Sequence, residues 1–380
     1  MRILRIIHSL NPKDGGPVEA SLQSSRALER KGHYIEFASF DPSDSPFLHN
    51  RGFTMTGLGS CFPRYGLNFR YINWLKIKSQ DFDCVLVQGI WQFLSFGTYL
   101  ALRKHKTPYF VFSHGMLDPW FHIGHPFKYL KKRIYWALAE RRALLGAQRV
   151  LFTTKEEQKL ALTSMPSSNY MSEVVPYGIR PPKKMSFNKE DFYSLFPSAQ
   201  GKKILLFMSR LHPKKGCDLL LKAFSKMRNT ENVFLIMAGP DQVAWKKELL
   251  LLAERLRIND SVAWPGMLEG ELKELTLHFA DAFILPSHQE NFGISVAEAL
   301  AREIPVLIST KVNIWREVVE SDAGWAAEDT EEGCLHLLNL WVEEENIHKK
   351  RLSAKLCFDK NFNLDLNAHK LEETLTLRSV

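Results

Sequence analysis

Short apolar runs alternate with stretches of helical spacing along most of the chain. The first run, at 3–7, is apolar on both faces, which is typical of a strand in a parallel sheet. A helical pattern follows at 18–31 and stops at Gly32, and a second apolar run covers 34–40. This order predicts a strand–helix–strand unit. Further strands of the first half are predicted at 84–88, 109–112, 149–153 and 173–176.

The alternation begins again after a segment of linker composition. Residues 177–187, YGIRPPKKMSF, combine a glycine, two prolines and basic side chains, so we place a domain boundary there. Strand–helix alternation on both sides predicts an α/β chain of two Rossmann-like, doubly wound domains, whose ligands bind in a central cleft between strand ends. The predicted strands of the second half are 203–208, 233–238, 262–264, 283–285 and 306–309, and the predicted helices are 219–227, 245–256 and 272–279, before a helical tail from 331.

Composition is that of an ordinary globular protein. The 380 residues are 45% hydrophobic and 24% charged. Fifty lysines and arginines against 42 acids give a net charge of +8, which favours anionic partners such as nucleotides or membrane surfaces. For this length the excess is modest, so it does not indicate nucleic acid.

Cysteine usage predicts reduced thiols. The five cysteines are far apart and none is at metal-ligand spacing, so we expect neither a disulfide framework nor a bound metal or cofactor. No uncharged apolar run reaches about 18 residues, so no transmembrane helix is expected. The sequence therefore predicts a cytoplasmic protein. The cysteines are Cys61, Cys84, Cys217, Cys334 and Cys357.

One basic segment leaves two interpretations open. Residues 127–142, FKYLKKRIYWALAERR, carry six basic side chains and one acid, with apolar residues at helical spacing. A basic amphipathic helix can lie on the inner face of the plasma membrane as a peripheral contact. The same pattern fits a helix that packs on the sheet and exposes a solvated basic side.

The stretch 285–302, LPSHQENFGISVAEALAR, carries the clearest candidate chemistry. A strand leads through a glycine-bearing turn into a helix, so backbone N–H groups and the positive end of the helix dipole meet in one place. This arrangement suits a phosphate. Glu290 and Glu298 add carboxylates, which accept hydrogen bonds from hydroxyl groups such as those of sugars. Together these features predict a sugar nucleotide as ligand.

Basic residues follow another predicted strand. The segment 209–216, SRLHPKKG, comes directly after the strand at 203–208. Arg210 and Lys215 are therefore placed to meet a diphosphate, whereas we interpret Lys214 as a solvated surface residue.

Two strand-end segments of the first half remain ambiguous from the residues alone. Gly15 and Gly16 permit close backbone approach to a ligand, or form a plain turn. His114 follows the strand at 109–112 and either contacts a ligand or satisfies local backbone groups.

Taken together, these motifs resemble the retaining nucleotide-sugar glycosyltransferases of family 4, which have the GT-B architecture of two Rossmann-like domains. The matching elements occur in the expected order and cover nearly the whole chain. They are the Gly15-Gly16 loop, Ser113-His114-Gly115, the VPYGI segment at 175–179, Arg210 with Lys215-Gly216, and the Glu-x7-Glu element from Glu290 to Glu298.

The resemblance implies a role for each matching position. Arg210 and Lys215 would hold the donor diphosphate, and Glu298 would accept hydrogen bonds from the ribose. Glu290 and His114 would lie at the catalytic centre, where Glu290 positions the transferred sugar rather than attacking it. Further donor contacts are implied for Gly16, Gly266, Met267, Phe292, Gly293, Ile294 and Ser295.

The implied reaction moves a sugar from a UDP-sugar, with UDP-glucose the first choice, to a glycan or lipid-linked glycan acceptor in polysaccharide synthesis. Residues 1–180 would bind the acceptor and 181–360 the donor, and a helix within 361–380 would cross back to the first domain. Two cations and a helix N-terminus can stabilise a leaving nucleotide diphosphate without a metal.

Alternatives remain on the same fold. A non-catalytic nucleotide-sugar-binding protein is disfavoured because Arg210, Lys215, Glu290 and Glu298 are all intact, and an epimerase would change the donor with no acceptor present. A phosphorylase would need a pyridoxal-phosphate lysine, for which no motif is visible. Tyr177, where the family often has asparagine, predicts altered hinge geometry, and Asn291, where it often has a small residue, predicts a changed fit for the sugar.

Overall fold

The chain folds into two compact units in a computed structural model that describes residues 1–12, 16–49, 51–59, 65–119, 126–167, 169–183 and 185–377. Unit 1 comprises Met1–Arg180 and Leu364–Val380, and unit 2 comprises Pro181–Asn363. The chain therefore leaves unit 1 after Arg180 and its C-terminal segment belongs to unit 1 again.

Unit 1 is built on a parallel sheet, as its apolar runs predict. In the described residues the strand order is β3-β2-β1-β4-β5-β6-β7. Order reverses between β1 and β4, the position at which open α/β sheets bind ligands outside their strand ends. The strands are β1 Arg2–Ile7, β2 Tyr34–Ser39, β3 Thr54–Gly57, β4 Cys84–Gln88, β5 Tyr109–Phe112, β6 Arg149–Phe152 and β7 Ser172–Val174.

Helices cover both faces of this sheet, and successive residues of each strand contribute to opposite faces. Leu4 and Val85 belong to one apolar cluster, and Ile3 and Leu86 to the other. Both faces are thus apolar, which explains the continuous runs in the sequence. The helices are α1 Gly16–Arg30, α2 Phe69–Lys78, α3 Phe93–Leu102, α4 Pro126–Tyr135, α5 Arg141–Leu145 and α6 Lys155–Ser164.

Unit 2 repeats the plan with six described strands in the order β10-β9-β8-β11-β12-β13. Order here reverses between β8 and β11. The strands are β8 Lys203–Met208, β9 Val233–Ala238, β10 Val262–Gly266, β11 Ala282–Leu285, β12 Val306–Ser309 and β13 Gly324–Ala327, and the helices are α7 Lys189–Leu195, α8 Cys217–Lys226, α9 Lys246–Arg255, α10 Gly270–Phe279, α11 Ile294–Leu300, α12 Trp315–Glu320, α13 Glu331–Val342 and α14 Ile347–Asn361.

The last helix, α15, spans Leu364–Thr376 and packs on α1. Its Leu371 and Leu375 lie in the same apolar cluster as residues of β1 and α1. Glu372 accepts hydrogen bonds from Lys31 at 2.6 Å and from His33 at 2.8 Å, and these hydrogen bonds lower the pKa of Glu372 to about 2. The tail of the chain is therefore part of the unit 1 core.

The predicted fold class is confirmed, with two parallel α/β sheets, although several elements were missed. No continuous apolar run marks β3 or β13, which are short edge strands with partly exposed residues. It also missed α3, FLSFGTYLAL, because most of its residues are buried and apolar and no polar face marks a helical period. Strand β10 extends to Gly266, past its predicted end at 264.

The basic segment 127–142 was predicted as one helix and is interrupted. Helix α4 runs into a π-helical turn at Trp136–Glu140 before α5 begins. Leu130, Ile134 and Leu138 are 56%, 53% and 62% exposed. The predicted apolar positions therefore form an exposed stripe, and Trp136 fills the core instead.

The sequence predicts no disulfides, no transmembrane helix and no metal site, and the described residues can be compared with each of these predictions. Four of the cysteines are buried and not in disulfides, and Cys61 lies outside the described residues. No helix in the described ranges is long and apolar enough to cross a membrane. Within those ranges no three histidine, cysteine, aspartate or glutamate side chains cluster as metal ligands would.

Candidate functional site

The loop after β8 is ordered by a histidine. His212 precedes a short 3₁₀ turn at Pro213–Lys215, and its Nδ1 accepts a hydrogen bond from the backbone N–H of Lys214 at 3.1 Å. Partial burial, followed by the surrounding cations, lowers the pKa of His212. A neutral imidazole keeps Nδ1 available as an acceptor, so this residue holds the turn that carries Lys215.

Gly216 lets this loop touch the loop after β11. It has a φ of 66°, and a Cβ there would lie 2.2 Å from the carbonyl oxygen of Pro286. A side chain at this position would therefore collide with backbone. The two loops are also joined by a hydrogen bond of 2.8 Å from the His288 N–H to the Lys214 carbonyl.

The contact between these loops brings together the predicted cation and carboxylate. Lys215 Nζ lies 2.5 Å from Glu290 Oε2, although 75 residues separate them in sequence. The Lys215 side chain is only 8% exposed, so its charge needs an anionic partner close by. The backbone of Glu290 is fixed by hydrogen bonds of 3.0 Å to the Lys311 carbonyl and from the Asn313 N–H.

A glycine begins helix α11, as the predicted turn requires. Gly293 is the N-cap residue with a φ of 78°, a left-handed conformation that glycine adopts without strain. Phe292 is buried, and its ring makes an edge contact with that of Phe362 at 5.5 Å between centroids. This contact anchors the turn from which Ile294 and Ser295 start the helix.

Glu298 projects from α11 and has a partner that sequence reasoning missed. Lys273 Nζ, from α10, lies 2.8 Å from Glu298 Oε1. Arg302 reaches back to the carbonyl of Glu298 at 2.7 Å and forms a two-pronged ion pair with Glu274. No motif links Lys273 to Glu298, because the contact depends on how two helices lie together.

The remaining candidates of unit 2 lie beside neighbouring strands. Arg210 follows β8, is exposed, and donates to the side-chain oxygen of Gln242 at 3.2 Å, a partner that the sequence did not indicate. Gly266 ends β10, where its carbonyl accepts from the N–H of Gly239 at 2.7 Å, and Met267 beside it is exposed. Because β10, β9, β8 and β11 are adjacent, the predicted donor residues form one row along the carboxyl edge of the sheet.

His114 of unit 1 is held on both ring nitrogens. Its Nε2 lies 2.8 Å from Gln88 Oε1, and its Nδ1 is hydrogen-bonded to the Tyr177 hydroxyl. Burial, with a further contribution from Arg5, lowers the pKa of His114 to about 3. The partners fit a neutral ring in which Nε2–H donates to Gln88 and Nδ1 accepts from Tyr177.

Neither Gln88 nor Tyr177 was predicted to hold His114. Tyr177 was singled out for its position in the linker, and its carbonyl also accepts from the Asn367 side chain of α15 at 3.2 Å. Gly16, the other unit 1 candidate, is the first residue of α1, and Gly15 lies outside the described residues. The roles predicted for Gly16 and His114 stay predictions.

Unit 2 thus offers cations and carboxylates together. Lys215 and Arg210 can meet an anion, and α11 presents the positive end of its dipole at Gly293. Glu290 and Glu298 are both held by lysines and both able to accept hydrogen bonds from hydroxyl groups. This chemistry suits a ligand that is at once phosphorylated and rich in hydroxyls.

Comparison with known families and relatives agrees with this chemistry. Residues 189–355 match the family described as glycosyl transferases group 1, and residues 15–178 match the glycosyl transferase 4-like domain. A D-inositol 3-phosphate glycosyltransferase of Segniliparus rotundus is 33% identical over 144 residues, which cover 36% of this chain and 31% of that protein. A lipopolysaccharide 1,2-N-acetylglucosaminetransferase of Salmonella typhimurium is 25% identical over 188 residues, 47% of this chain and 49% of that one.

The chain therefore matches less than half the length of either curated relative. A solved structure is similar over nearly its full length. The crystal structure of Anabaena HepE in complex with UDP-glucose has a TM-score of 0.77 and 17% identity, with 99% of each chain covered. At this identity the likeness concerns the fold alone.

Proposed function

We propose, because the chain belongs to the retaining glycosyltransferases of family 4 with the GT-B fold, that it transfers a sugar from a nucleotide-diphosphate sugar to a glycan acceptor. In this proposal unit 2 binds the donor and unit 1 binds most of the acceptor. The donor residues are those at the carboxyl edge of the unit 2 sheet.

The ion pair between Lys215 and Glu290 is the observation that carries the proposal. Lys215 is nearly buried and must stay close to negative charge. A diphosphate carries more charge than one carboxylate and presents several oxygens, so it can replace Glu290 as the partner of Lys215. Glu290 is then released to accept hydrogen bonds from the hydroxyls of the donor sugar.

The rest of the donor is assigned to residues of the same edge. Arg210 holds the diphosphate with Lys215, and the first N–H groups of α11, at Ile294 and Ser295, add hydrogen bonds. Glu298, which Lys273 holds, accepts from the ribose hydroxyls. The base lies near the exposed Met267 and the adjacent Gly266, and the N–H groups of Phe292 and Gly293 face the sugar.

Transfer proceeds with retention of anomeric configuration. The bond between the anomeric carbon and the diphosphate oxygen breaks as a bond to the acceptor oxygen forms on the same face. The acceptor proton passes to an oxygen of the leaving phosphate. Arg210 and Lys215 stabilise the charge that develops there, so the step needs no metal.

His114 acts in this proposal as a neutral group beside the transferred sugar. Gln88 and Tyr177 fix its ring, and its low pKa keeps it uncharged at neutral pH. His114 therefore helps to position the sugar and does not supply a proton, and Gln88 and Tyr177 orient its ring.

A UDP-sugar is the proposed donor, with UDP-glucose first, and a glycan or lipid-linked glycan in polysaccharide synthesis is the proposed acceptor. The donor is supported by the HepE complex with UDP-glucose, which has the same fold. The acceptor class is supported by the lipopolysaccharide acetylglucosaminetransferase of Salmonella among the relatives.

Contact with the inner face of the plasma membrane is proposed for α4 and the turn after it. Leu130, Ile134 and Leu138 form an exposed stripe, and the exposed Lys131 and Arg133 lie on the same segment. Exposed leucines flanked by cations suit an anionic lipid surface, which would bring the chain to a lipid-linked acceptor.

Thermal shift with a panel of sugar nucleotides tests the donor proposal. At equal concentration a donor that binds more tightly stabilises the folded chain more, so we expect UDP-sugars to raise the melting temperature more than GDP- or ADP-sugars. A shift with GDP- or ADP-sugars alone would contradict the UDP assignment. Substituting Lys215 should reduce the shift at the same ligand concentration.

Product analysis then separates the candidate reactions. The bound donor is incubated with and without a glycan extract, and a transferase forms a new glycoside only when an acceptor is present. Conversion of the donor to its epimer without acceptor would identify an epimerase, and unchanged donor with every acceptor would identify a binding protein.

A further inference from the structure

Arg5 is a charged residue in the apolar interior of unit 1. It lies on β1 with its side chain on the face that α1 covers, and it is only 1% exposed. Its strand neighbours Ile3 and Ile7 belong to the apolar cluster that includes Leu371 of α15. Arginine is almost never fully buried unless it is paired, so the partners of its guanidinium matter.

Those partners satisfy only part of the guanidinium. Nη1 donates to the Ser21 carbonyl at 3.1 Å and to Ser24 Oγ at 3.0 Å, both on α1. Nε and Nη2 are buried and have no hydrogen-bond partner among the described residues. Both partners of Nη1 are neutral, so they leave the positive charge uncompensated. Burial lowers the pKa of Arg5 to about 9, which still leaves it cationic at neutral pH.

A cavity of about 20 Å³ adjoins this side chain, within unit 1. Its walls come from β1, the end of β4, helices α1 and α15, and the segment at 175–178. Gln88 lines it as well. The Oε1 of Gln88 accepts from His114 and from Ser21, while its Nε2 is buried and unpartnered in the described part of the chain.

Unused donors and one positive charge therefore converge on the cavity. Arg5 contributes Nε and Nη2, and Gln88 contributes Nε2, all three buried and without a hydrogen-bond partner among the described residues. A cation would be repelled by Arg5. A water molecule can accept from two donors, but it leaves the charge of the guanidinium unbalanced in a low-dielectric interior.

We propose that this cavity is a binding site for one small inorganic anion of about the size of chloride, held by the guanidinium of Arg5 and the side-chain amide of Gln88. The volume, close to that of one or two water molecules, excludes large anions. The anion completes the hydrogen bonds of both side chains and neutralises the buried charge.

Occupancy of this site has two structural consequences. It links Arg5 on β1 to Gln88 at the end of β4, so it stabilises this part of the sheet. It also fixes which end of the Gln88 amide faces His114, because the Nε2 end faces the anion. This inference concerns a ligand of unit 1 and does not depend on the proposed donor or acceptor.

The melting temperature of the full chain in chloride and in gluconate, at equal ionic strength and pH, tests the proposal. Gluconate is too large for the cavity, so chloride should raise the melting temperature by about 2–4 °C. The rise should saturate with chloride concentration, as a single site requires. An equal melting temperature in both salts would overturn the proposal and assign the cavity to water alone.

Two variants test whether the chloride effect on the melting temperature arises at Arg5: Arg5→Met and its matched control Arg2→Gln. Arg2 lies on the same strand, is exposed, and donates to the Asp81 carbonyl, so its substitution removes the same charge outside the cavity. The chloride effect should vanish in Arg5→Met and persist in Arg2→Gln. A chloride effect of the same size in both variants would place binding elsewhere.

Gln88→Glu supplies an independent test that keeps Arg5. Its carboxylate can still accept from His114 and Ser21, and its second oxygen replaces the anion beside Arg5. This variant should lose the chloride dependence and melt in gluconate at least as high as the wild type in chloride. A retained chloride dependence would contradict the site, whether or not Arg5→Met folds.

Discussion

At the scale of single residues, Lys215 is the most buried lysine or arginine among the described residues of unit 2. Its ammonium group is nearly buried and paired with Glu290 at 2.5 Å, whereas Arg210 is exposed and bonded to a neutral amide. A buried charge that loses its partner is costly, so in the proposed donor site Lys215 exchanges Glu290 for the diphosphate.

Lys215→Ala is expected to weaken the binding of UDP by roughly 1.5–3 kcal/mol, the worth of a hydrogen bond to a charged group. Titration calorimetry with UDP measures the change. Lys214→Ala is the matched control, because it removes the same charge from the same turn while the carbonyl that bonds His288 is kept. Equal losses in both variants would show that the turn attracts UDP only by its general charge.

At the scale of elements, the π-helical turn between α4 and α5 carries a buried carboxylate. Glu140 Oε2 accepts from the Trp91 N–H at 3.0 Å and from Ser95 Oγ at 3.1 Å. Burial raises the pKa of Glu140 to about 7, and these two hydrogen bonds only partly oppose the rise. The turn is thus joined to the strand-end loop after β4 through a group that titrates near neutral pH.

Stability is expected to fall with pH because of Glu140. The folded chain holds this proton up to a pKa of about 7 and the unfolded chain only to 4.5, so the folded state binds more protons between those values. Wild type should therefore lose about 3 kcal/mol relative to Glu140→Gln between pH 4.5 and 7, and no more above. Urea unfolding of both proteins at pH 4 and pH 8 measures this difference. Parallel pH dependence of the two would contradict the buried, protonated carboxyl.

The exposed stripe on α4 and the π turn makes a separate prediction. Replacing Leu130, Ile134 or Leu138 by serine should weaken binding to vesicles of anionic lipid by about 1 kcal/mol for each half-exposed leucine or isoleucine. Co-sedimentation with anionic and with zwitterionic vesicles measures it. Leu356→Ser on α14, where the leucine is similarly exposed, is the control and should change nothing. If the wild type does not bind anionic vesicles, the membrane contact is wrong.

At the scale of the whole molecule, the chain forms two parallel sheets of the same plan, and its C-terminal segment belongs to unit 1. In each sheet the order reverses beside the first strand of that unit, β1 in one and β8 in the other. Helix α15 completes the covering of β1 and α1, so the core of unit 1 is incomplete without it.

A chain that ends at Asn363 is expected to lose the stability of unit 1 and to keep that of unit 2. Leu364, Leu371 and Leu375 are each nearly buried, and their removal costs on the order of 6 kcal/mol of apolar burial, comparable with the stability of a domain. Limited proteolysis should then cut within 1–180 and spare 181–363. Deleting only the last three residues is the control. Equal resistance of both units in the shorter chain would contradict the dependence on α15.

Much of the fold was predictable because its signals are local. Buried parallel strands such as β1, β4 and β9 are continuous apolar runs, and the order of runs and helices specifies the α/β class. The edge strands β3 and β13 were not predicted because a short, half-exposed segment has no continuous apolar run. The largely apolar α3 was missed because a mostly buried helix has no polar face to mark its period.

The sequence by itself determined which chemical groups follow which strands, including Arg210, Lys215, Glu290 and Glu298, because each lies within a few residues of its own local element. Tertiary structure decided their partners. Lys273 beside Glu298, Tyr177 and Gln88 on His114, and the isolation of Arg5 all follow from contacts between distant segments. Those contacts depend on strand order and helix placement, which the spacing of residues along the chain does not encode.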